Sequence, residues 1–127
     1  MTGAGRIEAT AVDGGWPVIA LSGEHDLSTA TALRNSLRDV FDSGSAVVVD
    51  LSAVTFMDSS TLNAILYGSE RAQSDDAHRF AAVLPPGPSA ARRVLELTGV
   101  DRVLAIHPDR ASAVAAIAGD GGMSTAK

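Results

Sequence analysis

"AVVVDLSAVTFMDSSTLNAIL", residues 46–66, decides the fold. The opening "AVVVDL" at 46–51 is an apolar run interrupted by a single carboxylate, which suits a central strand covered on both faces. Asp58, Ser59, Ser60 and Thr61 then put one carboxylate and three hydroxyls in a row. Behind them Leu62, Ile65, Leu66 and Ser69 recur at the i, i+3, i+4, i+7 spacing of a helix face. A buried strand, a polar turn and an amphipathic helix form the repeating unit of a parallel α/β sheet.

The same grammar extends outward. Upstream, residues 7–12 alternate as a half-buried strand, "DGG" at 13–15 is a hairpin turn, and "WPVIALSG" at 16–23 is the partner strand. Pro17 stands near that strand's start, where a missing donor costs little. "GEHD" at 23–26 is expected as a polar loop. From there Leu33, Leu37, Val40 and Phe41 mark a helix, with Ser28 or Thr29 as its cap and Gly44 just past its end.

Downstream, Gly68 costs the second helix about 1 kcal/mol relative to alanine, so its second half is the weaker part. "RFAAVL" at 79–84 reads as a strand. "PPGPS" at 85–89 breaks it and leads into a helix near 89–98 closed by Gly99. "RVLAI" at 102–106 is expected as a short strand, and Pro108-Asp109 opens a last helix through about Ala118. The order ββαβαβαβα predicts an α/β domain over 1–118, with a mixed, mostly parallel sheet and an N-terminal β-hairpin. Residues 119–127 carry no pattern and are expected as a flexible tail.

Composition narrows the chemistry. The chain has 127 residues, of which 46% are apolar and only 4% aromatic, so its core must be aliphatic. A formal charge of −5 argues against nucleic acid or an anionic membrane as the main partner. There is no cysteine, which removes disulfides, thiol catalysis and thiolate metal sites. "MTGAGRIEAT" lacks the apolar segment of a signal peptide, and no apolar run reaches the length of a bilayer. A cytoplasmic location is expected.

No catalytic pattern emerges. His25, His78 and His107 lie far apart without metal-ligand spacing, and are read as structural or solvent-facing. Neither GxxxxGK[ST], GxGxxG nor GxSxG is present. Asp39, Asp42, Asp75 and Asp76 read as solvated carboxylates, and Arg92-Arg93 as a surface pair. No enzyme activity, cofactor or metal is expected.

The polar cluster at 58–61 remains. Asp58 or Ser59 capping the second helix explains one of its members, since a cap satisfies amides that otherwise lack partners. The capping-box Glu or Gln is missing, and four consecutive polar residues exceed what a cap needs. A hydroxyl in the first helical turn is held rigidly and can be exposed. Phosphate there would meet a favourable helix dipole of roughly 0.3–1 kcal/mol. Repulsion from Asp58 across water would be about 1–2 kcal/mol, so the fold should survive. About 6 Å from a partner carboxylate in a partly dry interface, the same phosphate would cost about 4–5 kcal/mol. Binding would fall at least about a hundredfold.

"VVVDLSAVTFMDSSTLNAIL" at 47–66 resembles the signature of STAS domains, specifically the bacterial anti-sigma factor antagonists. "LSGEHDLSTA" at 21–30 is similar to the family's Gly-Glu-x-Asp loop, and "LPPGPSAARRVLELTGVDRVLAI" at 84–106 to its C-terminal half. The three matches fall in the family's order across roughly residues 6–118. The resemblance implies a protein that binds an anti-sigma factor, itself a Ser/Thr kinase, and so frees a sigma factor. The kinase would phosphorylate the serine after the aspartate, Ser59, and a metal-dependent phosphatase would reverse this. ATP and Mg²⁺ would belong to the partner. Asp58 would shape the loop, with Glu24 and Asp26 on an adjoining partner-facing loop.

Thr61 and Asn63 replace family glycines. The resemblance therefore places added bulk at the contact surface, beside Ser60, and leaves Ser60 and Thr61 as alternative acceptors. Two other readings stay open: an unphosphorylated STAS module of a larger regulatory assembly, and a sensor of a small ligand. A hydrolase using Ser59 is more remote, since no motif brings a base to it.

Overall fold

The computed structural model describes residues 5–12, 16–44, 46–74 and 79–123. Within these residues five strands form one sheet in the spatial order of the chain: β1 (Arg6–Val12), β2 (Trp16–His25), β3 (Ala46–Met57), β4 (Arg79–Val83) and β5 (Ile106–His107). β1 pairs antiparallel with β2, and every later pairing is parallel. The expected mixed sheet and element order are therefore observed; the turn expected at 13–15 lies outside the described residues.

Among the described residues four helices accompany the sheet: α1 (Leu27–Ser43), α2 (Ser59–Gln73), α3 (Ala90–Thr98) and α4 (Arg110–Met123). Right-handed crossovers between successive parallel strands place helices on one side of a sheet that grows in one direction. Accordingly, buried residues of α1, α2 and α3 pack in one cluster with Ile19, Leu21, Val47, Val49 and Leu51. On the other face Ala113, Val114 and Ile117 of α4 cover Val18, Val48 and Ala81. Residues 46–51 are buried throughout, because β3 is a central strand with helices over both faces.

Asp50 is the exception in that apolar run. Burial pushes its carboxyl up, but hydrogen bonds from Ser52 and Arg110 outweigh this and hold it below its ordinary value. Arg110 Nε donates to Asp50 Oδ2 at 2.6 Å, tying the start of α4 to the central strand. Sequence periodicity gave no sign of this pairing.

Four local expectations change. β2 runs on to His25, so Glu24 and His25 are strand residues rather than loop. The cause is β3, which continues to Met57 and pairs Glu24 with Phe56 and His25 with Met57. Gly23, at φ 80°, accommodates the register shift there, a conformation that glycine adopts freely. α1 is capped by Asp26, not by Ser28 or Thr29.

The strand expected at 102–106 is instead a 3-10 turn, Val100–Arg102, followed by the two-residue β5. Val100 and Leu104 are both buried, and the amides of Val103 and Leu104 return to the Val100 carbonyl. The turn thus satisfies these amides locally while it buries both side chains. Finally, α4 runs to Met123 rather than stopping near Ala118. Gly68 stands within α2, which continues past it to Gln73. It is buried at the crossing with α1, and a Cβ there would lie 3.1 Å from both Leu37 and Phe80 side-chain carbons.

Candidate partner-docking site

β3 outruns β4, whose pairing with it ends at Asp50 and Val83. β2 and β3 run on past it, beside β1 as far as Ser22 and then as a pair from Gly23 and Val54, and each turns directly into a helix. The amide of Asp58 donates to the carbonyl of His25 at 3.2 Å, so the two exits are held side by side.

The two helix starts are built alike. Asp26 Oδ1 accepts from the amide of Ser28 at 2.9 Å and from its hydroxyl at 2.6 Å. Asp58 Oδ1 accepts from the amide of Ser60 at 3.0 Å and from its hydroxyl at 2.6 Å, and also from the Thr61 amide at 3.3 Å. The bonds from Ser28 and Ser60 hold the two carboxyls below their ordinary value, and the negative charge of Asp26 pushes Asp58 slightly the other way. Two ionised caps therefore stand close enough to influence each other.

His25 fastens this corner from beneath. It is fully buried, with Nε2 2.9 Å from the Ser22 carbonyl oxygen and Nδ1 3.0 Å from Thr29 Oγ1. Both ring nitrogens are engaged, joining β2 to the first turn of α1. The expected structural role for this histidine agrees with its placement.

Of the residues singled out from sequence, Glu24, Asp26, Ser59 and Asn63 are exposed, and Asp58 and Ser60 half-buried. They gather at this one end of the sheet. Thr61 does not join them. It is fully buried, and its hydroxyl has no hydrogen-bond partner among the described residues. The bulk expected from Thr61 at the contact surface goes inward instead, because the third residue of the helix faces the core with Leu62 and Ile65.

The three hydroxyls thus differ. Ser60 is committed to Asp58, Thr61 is inaccessible, and Ser59 is exposed with no hydrogen bond to its hydroxyl among the described residues. Sequence reasoning overlooked Leu27, 73% exposed at the first position of α1, and gave no weight to Phe56, 48% exposed. Leu27 could have been found from the matching tripeptides Asp26-Leu27-Ser28 and Asp58-Ser59-Ser60. Among the described residues no group of acidic or histidine side chains is placed to hold a metal, and no helix is long and apolar enough to cross a membrane.

A sheet whose two longest strands end in neighbouring capped helices, with hydroxyl, acidic and apolar groups displayed between them, defines an α/β domain that presents a surface rather than a cleft. Residues 9–106 match the family model described as "Mlab, STAS domain". The chain belongs to the STAS-domain family of anti-sigma factor antagonists. It is 31% identical over 121 residues to the anti-sigma-F factor antagonist RsfB of Mycobacterium tuberculosis, covering 94% of this chain and 96% of that one. The crystal structure of an anti-sigma factor antagonist from Mycobacterium paratuberculosis superposes with a TM-score of 0.78 at 33% identity, over 93% of this chain and 97% of the other. The unphosphorylated form of the anti-sigma factor antagonist SpoIIAA shares the fold, with a TM-score of 0.70 at 22% identity over 90% of this chain and 97% of its own.

Proposed function

We propose that this protein acts in the cytoplasm as an anti-sigma factor antagonist that binds an anti-sigma factor kinase, releases a sigma factor, and is switched off by phosphorylation at Ser59. It is read as a regulatory binding protein, with the catalytic groups, ATP and Mg²⁺ supplied by the kinase. A Ser/Thr phosphatase would restore the active form. Glu24, Asp26, Asp58, Ser60 and Asn63 are the contact residues in this reading.

One observation carries it: of three consecutive hydroxyls, Ser59 alone is exposed and uncommitted among the described residues. Phosphoryl transfer requires the attacking oxygen to reach the partner's nucleotide in line, which a buried or tethered hydroxyl cannot do without unfolding the turn. The modified serine would also add about −1.5 to −2 charges beside Asp26 and Asp58, whose carboxylates already occupy the amides of these helix starts. The added charge would fall on the docking surface, while the core beneath is unaffected.

The test is intact-mass analysis after incubation with ATP, Mg²⁺ and anti-sigma factor kinases of the same organism. One added phosphate on the wild type and on Ser60→Ala, with none on Ser59→Ala, is expected. A phosphate that persists in Ser59→Ala moves the acceptor. Binding without any phosphate leaves an unphosphorylated interaction module.

A further inference from the structure

Leu27 has no local reason to be leucine. The α1 cap requires only Asp26 and the amide and hydroxyl of Ser28, and the first helical position favours acidic residues or proline. Yet Leu27 is 73% exposed, in the position of α1 that Ser59 occupies in the matching cap of α2. Leu27 also borders a shallow groove between the two helices, together with Thr31, Ser60 and Asn63. Phe56, 48% exposed and paired in register with Glu24, lies at the same end of the sheet. Isolated exposed apolar residues are ordinary, but two at the rim of one proposed contact surface invite a partner.

We infer that Leu27 is the apolar anchor of this surface, inserting into an apolar socket of the anti-sigma factor that is ringed by arginine or lysine side chains. This rests on the reading of the site given above and adds what the partner must look like. The basic ring follows from Asp26, next to Leu27 in the chain, from Asp58, held beside that exit by its bond to the His25 carbonyl, and from Glu24, exposed at the end of β2; together they outnumber Arg34 on the groove wall. Such a surface accepts a basic partner and repels an acidic one, while the buried leucine supplies the affinity. Phosphate at Ser59, the twin position, would have to be stripped of its water beside a socket that has to stay dry, and this desolvation, which the basic ring offsets only in part, is what would weaken binding.

The experiment measures affinity and phosphorylation kinetics of the full chain with an anti-sigma factor kinase of its own organism. Wild type is compared with Leu27→Ser and with Leu97→Ser, an equally exposed leucine on α3. Leu27→Ser should weaken binding about ten- to a hundredfold, the worth of one buried leucine side chain. It should raise KM for phosphorylation and leave kcat and the melting temperature unchanged, while Leu97→Ser changes nothing. Unchanged affinity in Leu27→Ser, equal loss in both variants, or a fall in kcat at constant KM each overturns the anchor and leaves the switch standing. If the wild type binds no anti-sigma factor, the functional reading itself falls and the anchor with it.

Discussion

The amide of Asp58 donates to the carbonyl of His25 at 3.2 Å, and through this bond two helix caps distant in sequence become one surface. The strand pairing His25↔Met57 brings the ends together, and the bond across the two exits sets how the caps stand. Asp26 and Asp58 then close their helices in the same way, each through a serine two residues on.

The cap of α2 should be separable from the acceptor. Asp58→Ala removes the acceptor of two backbone amides and should cost about 0.5–2 kcal/mol of stability. Asp58→Asn keeps an oxygen at the same place and should cost much less. Urea unfolding of the two variants beside wild type checks this, and similar losses in both would mean that charge, not capping, holds the turn.

Acid should weaken the fold in a defined window. Asp26, Asp50, Asp58 and Asp109 all sit below the ordinary carboxyl value of 3.8. A carboxyl with a depressed folded value stabilises the native state above its unfolded value, and loses that contribution as pH falls through the folded one. Stability should therefore be level above about pH 5 and decline below about pH 4. Thermal unfolding across pH 2–7 tests this, and the decline should be shallower in Asp58→Asn.

Arg110 should matter for the whole domain. Asp50 is 7% exposed, and Arg110→Ala would leave its carboxylate with Ser52 as the remaining partner among those described. An under-satisfied buried carboxylate costs about 1–3 kcal/mol. The double variant Asp50→Asn with Arg110→Met should recover part of that loss, and a double-variant cycle in urea measures how much.

Gly68 offers the opposite test of local against tertiary preference. Helix propensity alone says that Gly68→Ala gains about 1 kcal/mol. The new Cβ would crowd Leu37 and Phe80 at 3.1 Å, and overpacking costs typically about 1–3 kcal/mol. Leu37 is fully buried and has little room to yield, so a net loss is expected. A rise in melting temperature would show that the α1–α2 crossing can open.

Much of this protein was written locally. The apolar run at 46–51, the helical spacing after Leu62 and the punctuation at Ser89 and Gly99 each act within one or two turns of chain, so the order of elements could be read directly. The Asp-Ser-Ser cap was equally legible, since a cap involves residues no more than three apart. What only the tertiary structure decided was set by partners far along the chain. Glu24 and His25 became strand because β3 reached out to pair with them, and Asp50 could stay in the core because Arg110 arrived from α4. Thr61 turned inward while Ser59, two residues earlier, faced out. Composition treats the three hydroxyls as equals; their distinct environments come from how α2 packs on the sheet, because exposure depends on the direction of a side chain relative to a core that no short stretch contains.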